Sequence, residues 1–216
     1  MKLSSLALGC ALAAGLALPA SAAVLTNTGF ESGLDGWTYT DGLVSVVTEA
    51  YDATGGDPIF GETYSPTEGD QFAQLVAGEA DVYTVLQQAF TVVGALRIEF
   101  DAAFLAFDYD PYDDDAYVRI FSTTTNEVVF ASSVLAVGDL GHTKWTRFSS
   151  GMLGAGDYVL EAGVRNFADP DETYSSRLLI DNVAAVPEPA TWGLMILGFA
   201  GVGAALRRRS PAVRYG

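Results

Sequence analysis

Five carboxylates fall within eight residues in the run Asp108-Tyr109-Asp110-Pro111-Tyr112-Asp113-Asp114-Asp115. Side chains this close repel one another unless a cation or water comes between them. Hard, oxygen-rich loops suit Ca²⁺, so Asp108, Asp110, Asp113 and Asp115 are candidate ligands. The spacing departs from an EF-hand loop, with no glycine at the sixth position and no closing glutamate. A solvated acidic loop is the alternative. Tyr109 and Tyr112 lie in the same run and can offer rings to a sugar face or simply pin the loop. Trp37 and Trp145 fall at strand positions, where core packing is the better reading. The loop tyrosines Tyr51, Tyr64, Tyr109, Tyr112 and Tyr174 are better placed for contact. Catalysis has little support. His142, the single histidine, lies in the turn Gly141-His142-Thr143-Lys144, where exposure is expected. No nucleophile elbow, zinc motif or phosphate loop is present.

These residues sit between two end segments that read as addresses. At the N-terminus, Lys2 supplies a positive start, Leu6 to Leu18 an apolar stretch too short to span a bilayer, and Ala20-Ser21-Ala22 a small-residue cleavage site. Residues 1–22 therefore read as a signal peptide handled by the export translocon. Cys10, the only cysteine, lies inside it, so the mature chain has no disulfide and no thiol chemistry. At the C-terminus, Pro187-Glu188-Pro189 breaks regular structure. Ala190 to Leu206 then carries no charge, and Arg207-Arg208-Arg209 follows. As a helix, residues 190–206 would run about 25 Å, enough to cross a bilayer core, with the arginines favouring the cytoplasmic side. Residues 210–216 form a short tail.

The remaining body, residues 23–186, has one domain's length and can hold a core without staples. The whole chain carries a formal net charge of −16. Its ends hold five of the 11 basic residues but only one of the 27 acids, so the body stands at −20. Such a surface repels nucleic acid and anionic lipid and suits extracellular solubility, Ca²⁺ or neutral sugars. Period-two alternation marks strands at Asp81 to Phe90, Ala95 to Phe104 and Ala116 to Phe121. Leu43 to Glu49, Gln71 to Ala77, Glu127 to Val134, Lys144 to Ser149, Asp157 to Val164 and Arg177 to Val183 bring the total to about nine. Ala50 to Asp70 reads as one long polar loop. No stretch of the body has a helical period, so the expectation is an all-β sandwich.

Pro187-Glu188-Pro189, the apolar span with Trp192, and Arg207-Arg208-Arg209 resemble the PEP-CTERM sorting signal of exopolysaccharide-producing Gram-negative bacteria. The resemblance implies removal by an exosortase near Pro187-Glu188-Pro189, membrane association through the helix before processing, and surface display or release. Asn27-Thr28-Gly29-Phe30-Glu31 with Gly33-Leu34-Asp35-Gly36-Trp37, and the closing Leu178-Leu179-Ile180-Asp181-Asn182-Val183, are similar to the ends of galactose-binding-like jelly rolls, the fold of many carbohydrate-binding modules. Trp145-Thr146-Arg147-Phe148 and Gly156-Asp157-Tyr158-Val159-Leu160 resemble their penultimate hairpin. This second resemblance implies neighbouring first and last strands tied by a structural Ca²⁺ through Glu31 and Asp181. Capping of turns, or pairing with Arg177, is the other role open to those two acids. The combined expectation is an exported, non-enzymatic jelly-roll protein of the cell envelope or biofilm matrix, associated with exopolysaccharide. A carbohydrate-binding module with a defined glycan is the alternative.

Overall fold

The computed structural model describes residues 25–57, 59, 61–168, 174–187 and 189–207. Its strands are β1 (Thr38–Tyr39), β2 (Val44–Val47), β3 (Ala50–Tyr51), β4 (Thr63–Tyr64), β5 (Phe72–Val76), β6 (Tyr83–Val92), β7 (Leu96–Leu105), β8 (Asp115–Phe121) and β9 (Asn126–Ser133). A helical turn, α1 (Val134–Val137), precedes β10 (Thr146–Ser149), β11 (Gly156–Arg165) and β12 (Arg177–Pro187), and a helix α2 (Pro189–Arg207) closes the described chain. All the strands lie in the compact unit Ser21–Glu188, and α2 lies in another.

The body is a jelly-roll β-sandwich. One sheet has the order β1-β6-β11-β8-β9 and will be called the front sheet. The back sheet has the order β10-β7-β12-β5-β2. Every pairing is antiparallel. Alternation in β6 buries Leu86, Phe90 and Val92, and alternation in β7 buries Leu96, Ile98, Phe100 and Phe104. These side chains meet Val118, Ile120, Leu160, Val164, Leu178 and Ile180 in one core between the sheets.

A second, smaller cluster distinguishes the two outer faces. Ala103 and Leu105 of β7, Phe72 of β5 and Leu179 of β12 point away from the main core, and Ala50 and Tyr64 of the β3–β4 hairpin cover them. Tyr64 is buried and donates its hydroxyl to the Thr143 carbonyl at 2.6 Å. Trp145 packs edge-on against Tyr64 and Phe72 and donates to the Ser65 carbonyl. The back sheet is thus lined on its outer side by apolar side chains.

Several expectations change here. The long polar loop contains the β3–β4 hairpin, and β1 adds a short edge to the front sheet, giving twelve strands among the described residues. The β10 and β11 segments do not form a hairpin: β10 pairs with β7 in the back sheet and β11 with β6 and β8 in the front sheet. The opening segment is a series of turns rather than a strand, tied to β12 by Val183 N–H on the Thr28 carbonyl at 3.1 Å. Trp37 is buried against Phe30, as its position suggested.

The sequence-expected C-terminal span coincides with α2, along which Met195, Ile196, Leu197, Phe199 and Val202 stand exposed. Among the described residues no helix is long and apolar enough to cross a membrane. The leader, Glu188, Arg208, Arg209 and the 210–216 tail lie outside the described residues, as does the side chain of Trp192.

Candidate functional site

Register across four strands places the outward side chains of the front sheet in rows. One row runs Tyr83, Arg165, Asp115, Ser133; the next Val85, Gly163, Tyr117, Ala131; the third Gln87, Glu161, Arg119, Val128. Arg165 Nε donates to Asp115 Oδ1 at 2.7 Å, and the Tyr83 hydroxyl donates to Asp115 Oδ2. Arg119 Nε and the Tyr117 hydroxyl both donate to Glu161 Oε1, at 2.8 and 2.7 Å. The guanidiniums also stack on rings: Arg119 on Tyr117 and Phe121, Arg165 on Tyr83 and Phe167. Tyr83, Asp115, Tyr117, Arg119, Val128 and Ser132 help line a groove of about 700 Å³.

Gly163 determines how Tyr117 lies. A Cβ at 163 would stand 2.7 Å from Tyr117 Cζ and 2.9 Å from its hydroxyl. The ring therefore crosses β11 at a position without a side chain, and its hydroxyl reaches Glu161 in the next row. Burial first, then the bond to Glu161, raises the Tyr117 pKa. The same two causes, with Asp115 as partner, push Tyr83 up to about 12. Both phenols stay protonated and remain donors near neutral pH. The face thus combines flat aromatic surface with fixed donors and acceptors, and its two arginines are each matched by a carboxylate.

The acidic run is divided rather than gathered. Asp114 is fully buried and accepts Phe167 N–H at 2.9 Å and Ser176 N–H at 3.1 Å, fastening the β7–β8 and β11–β12 connections together. Asp108 is buried and accepts Tyr109 N–H. Asp113 accepts Leu135 N–H at the start of α1, and Asp110 donates its own N–H to Asp139. Asp115 belongs to the groove. Tyr109 and Tyr174 are exposed and pack edge-on, and Tyr109 meets Tyr112 in the same manner. The loop tyrosines therefore form a cluster that the spacing of Tyr109 and Tyr112 only partly showed.

Glu31 and Asp181 grip one loop. Glu31 Oε1 accepts Asp70 and Gln71 N–H at 2.8 and 3.0 Å. Asp181 is fully buried; its Oδ2 accepts Thr67 N–H, Thr67 hydroxyl and Glu68 N–H, and its Oδ1 accepts Asn182 N–H. Burial raises the Asp181 pKa, against these hydrogen bonds. Arg177 does not serve as its partner: the guanidinium stacks on Phe107, with its centre 4.3 Å from the ring centroid. Among the described residues no group of three or more His, Cys, Asp or Glu side chains is placed to hold a metal.

His142 departs from its expected exposure. It is partly buried, with Nδ1 3.3 Å from Oδ2 of the buried Asp52. Asp52 also accepts Thr54 N–H, Thr54 hydroxyl and Glu62 N–H. Burial pushes its carboxyl up, but these bonds outweigh it and leave the pKa below the usual value. The pair holds the 52–62 loop.

Residues 185–209 match the PEP-CTERM protein-sorting motif. That motif implies exosortase processing and indicates export across the inner membrane to the cell envelope or surface. No curated protein matches the chain. Solved structures with a similar chain path include a family 61 carbohydrate-binding module in complex with β-1,4-galactotriose, at 14% identity over 78% of this chain and 100% of that one, with a TM-score of 0.46. A xylan-binding domain of family 22 is similar at 13% identity, 74% and 92% coverage and a TM-score of 0.41. The K3 cleaved adhesin domain of Lys-gingipain from Porphyromonas gingivalis is similar at 16% identity, 76% and 99% coverage and a TM-score of 0.43.

Asp115 stands out in the sequence as a possible Ca²⁺ ligand, whereas the other groove residues do not, because their significance lies in cross-strand register. A signal was present: the outward positions of β8 and β11 read Asp115, Tyr117, Arg119, Phe121 and Glu161, Gly163, Arg165.

Proposed function

We propose that this protein is an exported, non-catalytic glycan-binding component of the cell envelope, sorted by its C-terminal signal and associated with exopolysaccharide. The observation that carries the reading is the front-sheet groove, where Tyr117 lies flat over Gly163 between two Arg–carboxylate pairs. Aromatic surface beside fixed hydrogen-bonding groups is what a sugar ring needs, since one face of it is apolar and its rim is hydroxylated. The net charge of the body favours neutral polysaccharide over uronates. In this reading the translocon exports the chain, α2 engages the membrane through its exposed apolar side chains, and an exosortase then removes it.

Isothermal calorimetry and affinity electrophoresis with neutral polysaccharides test the proposal. Saturable binding by the surface form is expected, weakened at least tenfold, or about 1.4 kcal/mol, by Tyr117→Ala. Tyr112→Ala is expected to have a smaller effect, with Tyr109 and Tyr112 acting as an accessory contact. A larger loss for Tyr112→Ala would move the binding site to the loop cluster. Silence across the panel would leave a purely structural matrix role, and release of shortened glycan would make the protein an enzyme.

We further propose a structural Ca²⁺ at Glu31 and Asp181. The supporting observation is the buried Asp181 carboxyl, whose hydrogen-bond partners are neutral N–H and O–H groups, with Glu68 on the loop it holds and Glu31, from the opening segment, bonded to the far end of that loop. Backbone carbonyls would have to supply most of the six to eight oxygens. Millimolar Ca²⁺ is expected to raise the melting temperature and chelator to lower it. An unchanged melting curve together with no calorimetric uptake would remove Ca²⁺ from the account. Asp108, Asp110, Asp113 and Asp115 are weaker candidates, since Asp115 is paired with Arg165 in the groove and the others turn to separate parts of the chain rather than to one point.

A further inference from the structure

Strand β12 has two parts with different support. Arg177–Ile180 is paired on both sides, with β5 and with β7, and Leu178, Leu179 and Ile180 are fully buried. The register then breaks between Asp181 and Ala184, where Asn182 takes a left-handed φ of 51°. Beyond the break β7 is the one strand partner among the described residues: Ala184 faces Glu99, Ala185 faces Ile98, Val186 faces Arg97 and Pro187 faces Leu96. These four residues are half-buried, and Pro187 has no N–H to give to the sheet.

The same four residues run into the sorting signal. The motif match begins at residue 185, and Pro187 is at once the last residue of β12 and the first of Pro-Glu-Pro. A processing enzyme takes its substrate as an extended, unpaired segment, using the backbone groups that a sheet would otherwise occupy. Two partners therefore compete for one stretch of backbone. Its short length, single neighbour and proline make it the part of β12 that opens most easily. The bulge at Asp181–Ala184 lets it open without disturbing Arg177–Ile180.

We propose that Ala184–Pro187 is a detachable strand end that controls processing: seated on β7 it withholds the sorting motif, and peeled away it delivers the motif to the enzyme. This rests on the reading of the tail as an exosortase substrate. After processing, the shortened strand end reseats on β7 and leaves the enzyme, which makes release of product favourable.

The test locks the strand end. Arg97 and Val186 are antiparallel partners, and such partners have Cα atoms about 4.5–5.5 Å apart, within disulfide range. Full-length Arg97→Cys/Val186→Cys protein is incubated with exosortase-containing membranes, and conversion is followed by intact mass. The oxidised form is expected to be processed at least tenfold more slowly than the reduced form. A second variant carries eight Gly/Ser residues between Val186 and Pro187 and is expected to be processed at the same rate locked or unlocked. Equal rates for the oxidised and reduced double-cysteine protein would overturn the proposal, as would a lock that still blocks the spacer variant. If wild type and reduced protein both stay uncut, the exosortase reading itself is wrong.

Discussion

A single methyl group at position 163 is expected to abolish saturable glycan binding while the protein stays folded. Gly163 faces Val85 and Tyr117 across the front sheet, with the Tyr117 ring over it. The added Cβ of Gly163→Ala would stand 2.7 Å from a ring carbon, closer than the two atoms can approach. The β11 backbone is fixed by ten paired positions with β6 and seven with β8, so the ring must give way. Lifting it breaks the 2.7 Å bond from the hydroxyl to Glu161 and removes one of the two rings stacked on Arg119. Loss of one hydrogen bond to a charged group costs about 1.5–3 kcal/mol. That lowers the melting temperature without unfolding a domain of this size. Affinity should fall by more than the Tyr117→Ala effect, because the displaced ring also occupies groove volume. In the Gly163→Ala/Tyr117→Ala double variant the two effects should not add, since both act through one ring. Wild-type affinity in Gly163→Ala would refute the assignment of this face.

The same glycine shows where sequence reasoning stops. Alternation in β6, β7 and β8 was legible because one face of each strand is buried, and burial writes a period of two into the residues. The sandwich followed from it. Within Glu161-Ala162-Gly163-Val164-Arg165 the glycine reads only as a weak point in a strand. Its purpose depends on which residue of β8 lies opposite, and register between strands more than 40 residues apart is a tertiary fact. The β3–β4 hairpin was hidden for another reason. Tyr51 and Tyr64 stand among glycines, aspartates and prolines whose turn chemistry dominates locally, yet Tyr64 is drawn into a cluster over the back sheet. The acidic run was conspicuous by charge alone, whereas Asp108, Asp113 and Asp114 serve separate backbone amides and Asp115 pairs with Arg165. The pairing of Glu31 with Asp181 came through resemblance to the ends of a known fold, and the two do hold one loop. The charge of the run gave no hint of Asp114, its most buried member.

Asp181→Ala is expected to be the most destabilising of these substitutions, by about 3 kcal/mol, read as a shift in the urea midpoint at constant m-value. Asp181 is fully buried, and its removal leaves the N–H groups of Thr67, Glu68 and Asn182 without their acceptor. The 65–70 loop then loses its anchor on β12, and Glu31 alone remains to hold its far end. The wild-type residue also leaves a signature in pH. Burial raises its folded pKa above the unfolded value of about 3.8, so between the two values the native state binds more protons than the unfolded state. Its contribution to stability is therefore greatest below about pH 3.8 and falls as pH rises through the folded pKa. Asp52 acts in the opposite sense, because its carboxyl is held below the usual range and favours the fold at higher pH. The informative quantity is accordingly the difference between wild type and Asp181→Asn, which cancels Asp52 and every other acid. That difference should move in favour of the Asn variant as pH rises from 3.5 to 7, in the absence of Ca²⁺. If Ca²⁺ binds here, adding it should reverse the trend for wild type alone, because a cation stabilises the ionised carboxylate and has nothing to gain from the amide. A difference that stays flat with pH would mean that Asp181 has the same proton affinity in the folded and unfolded chains.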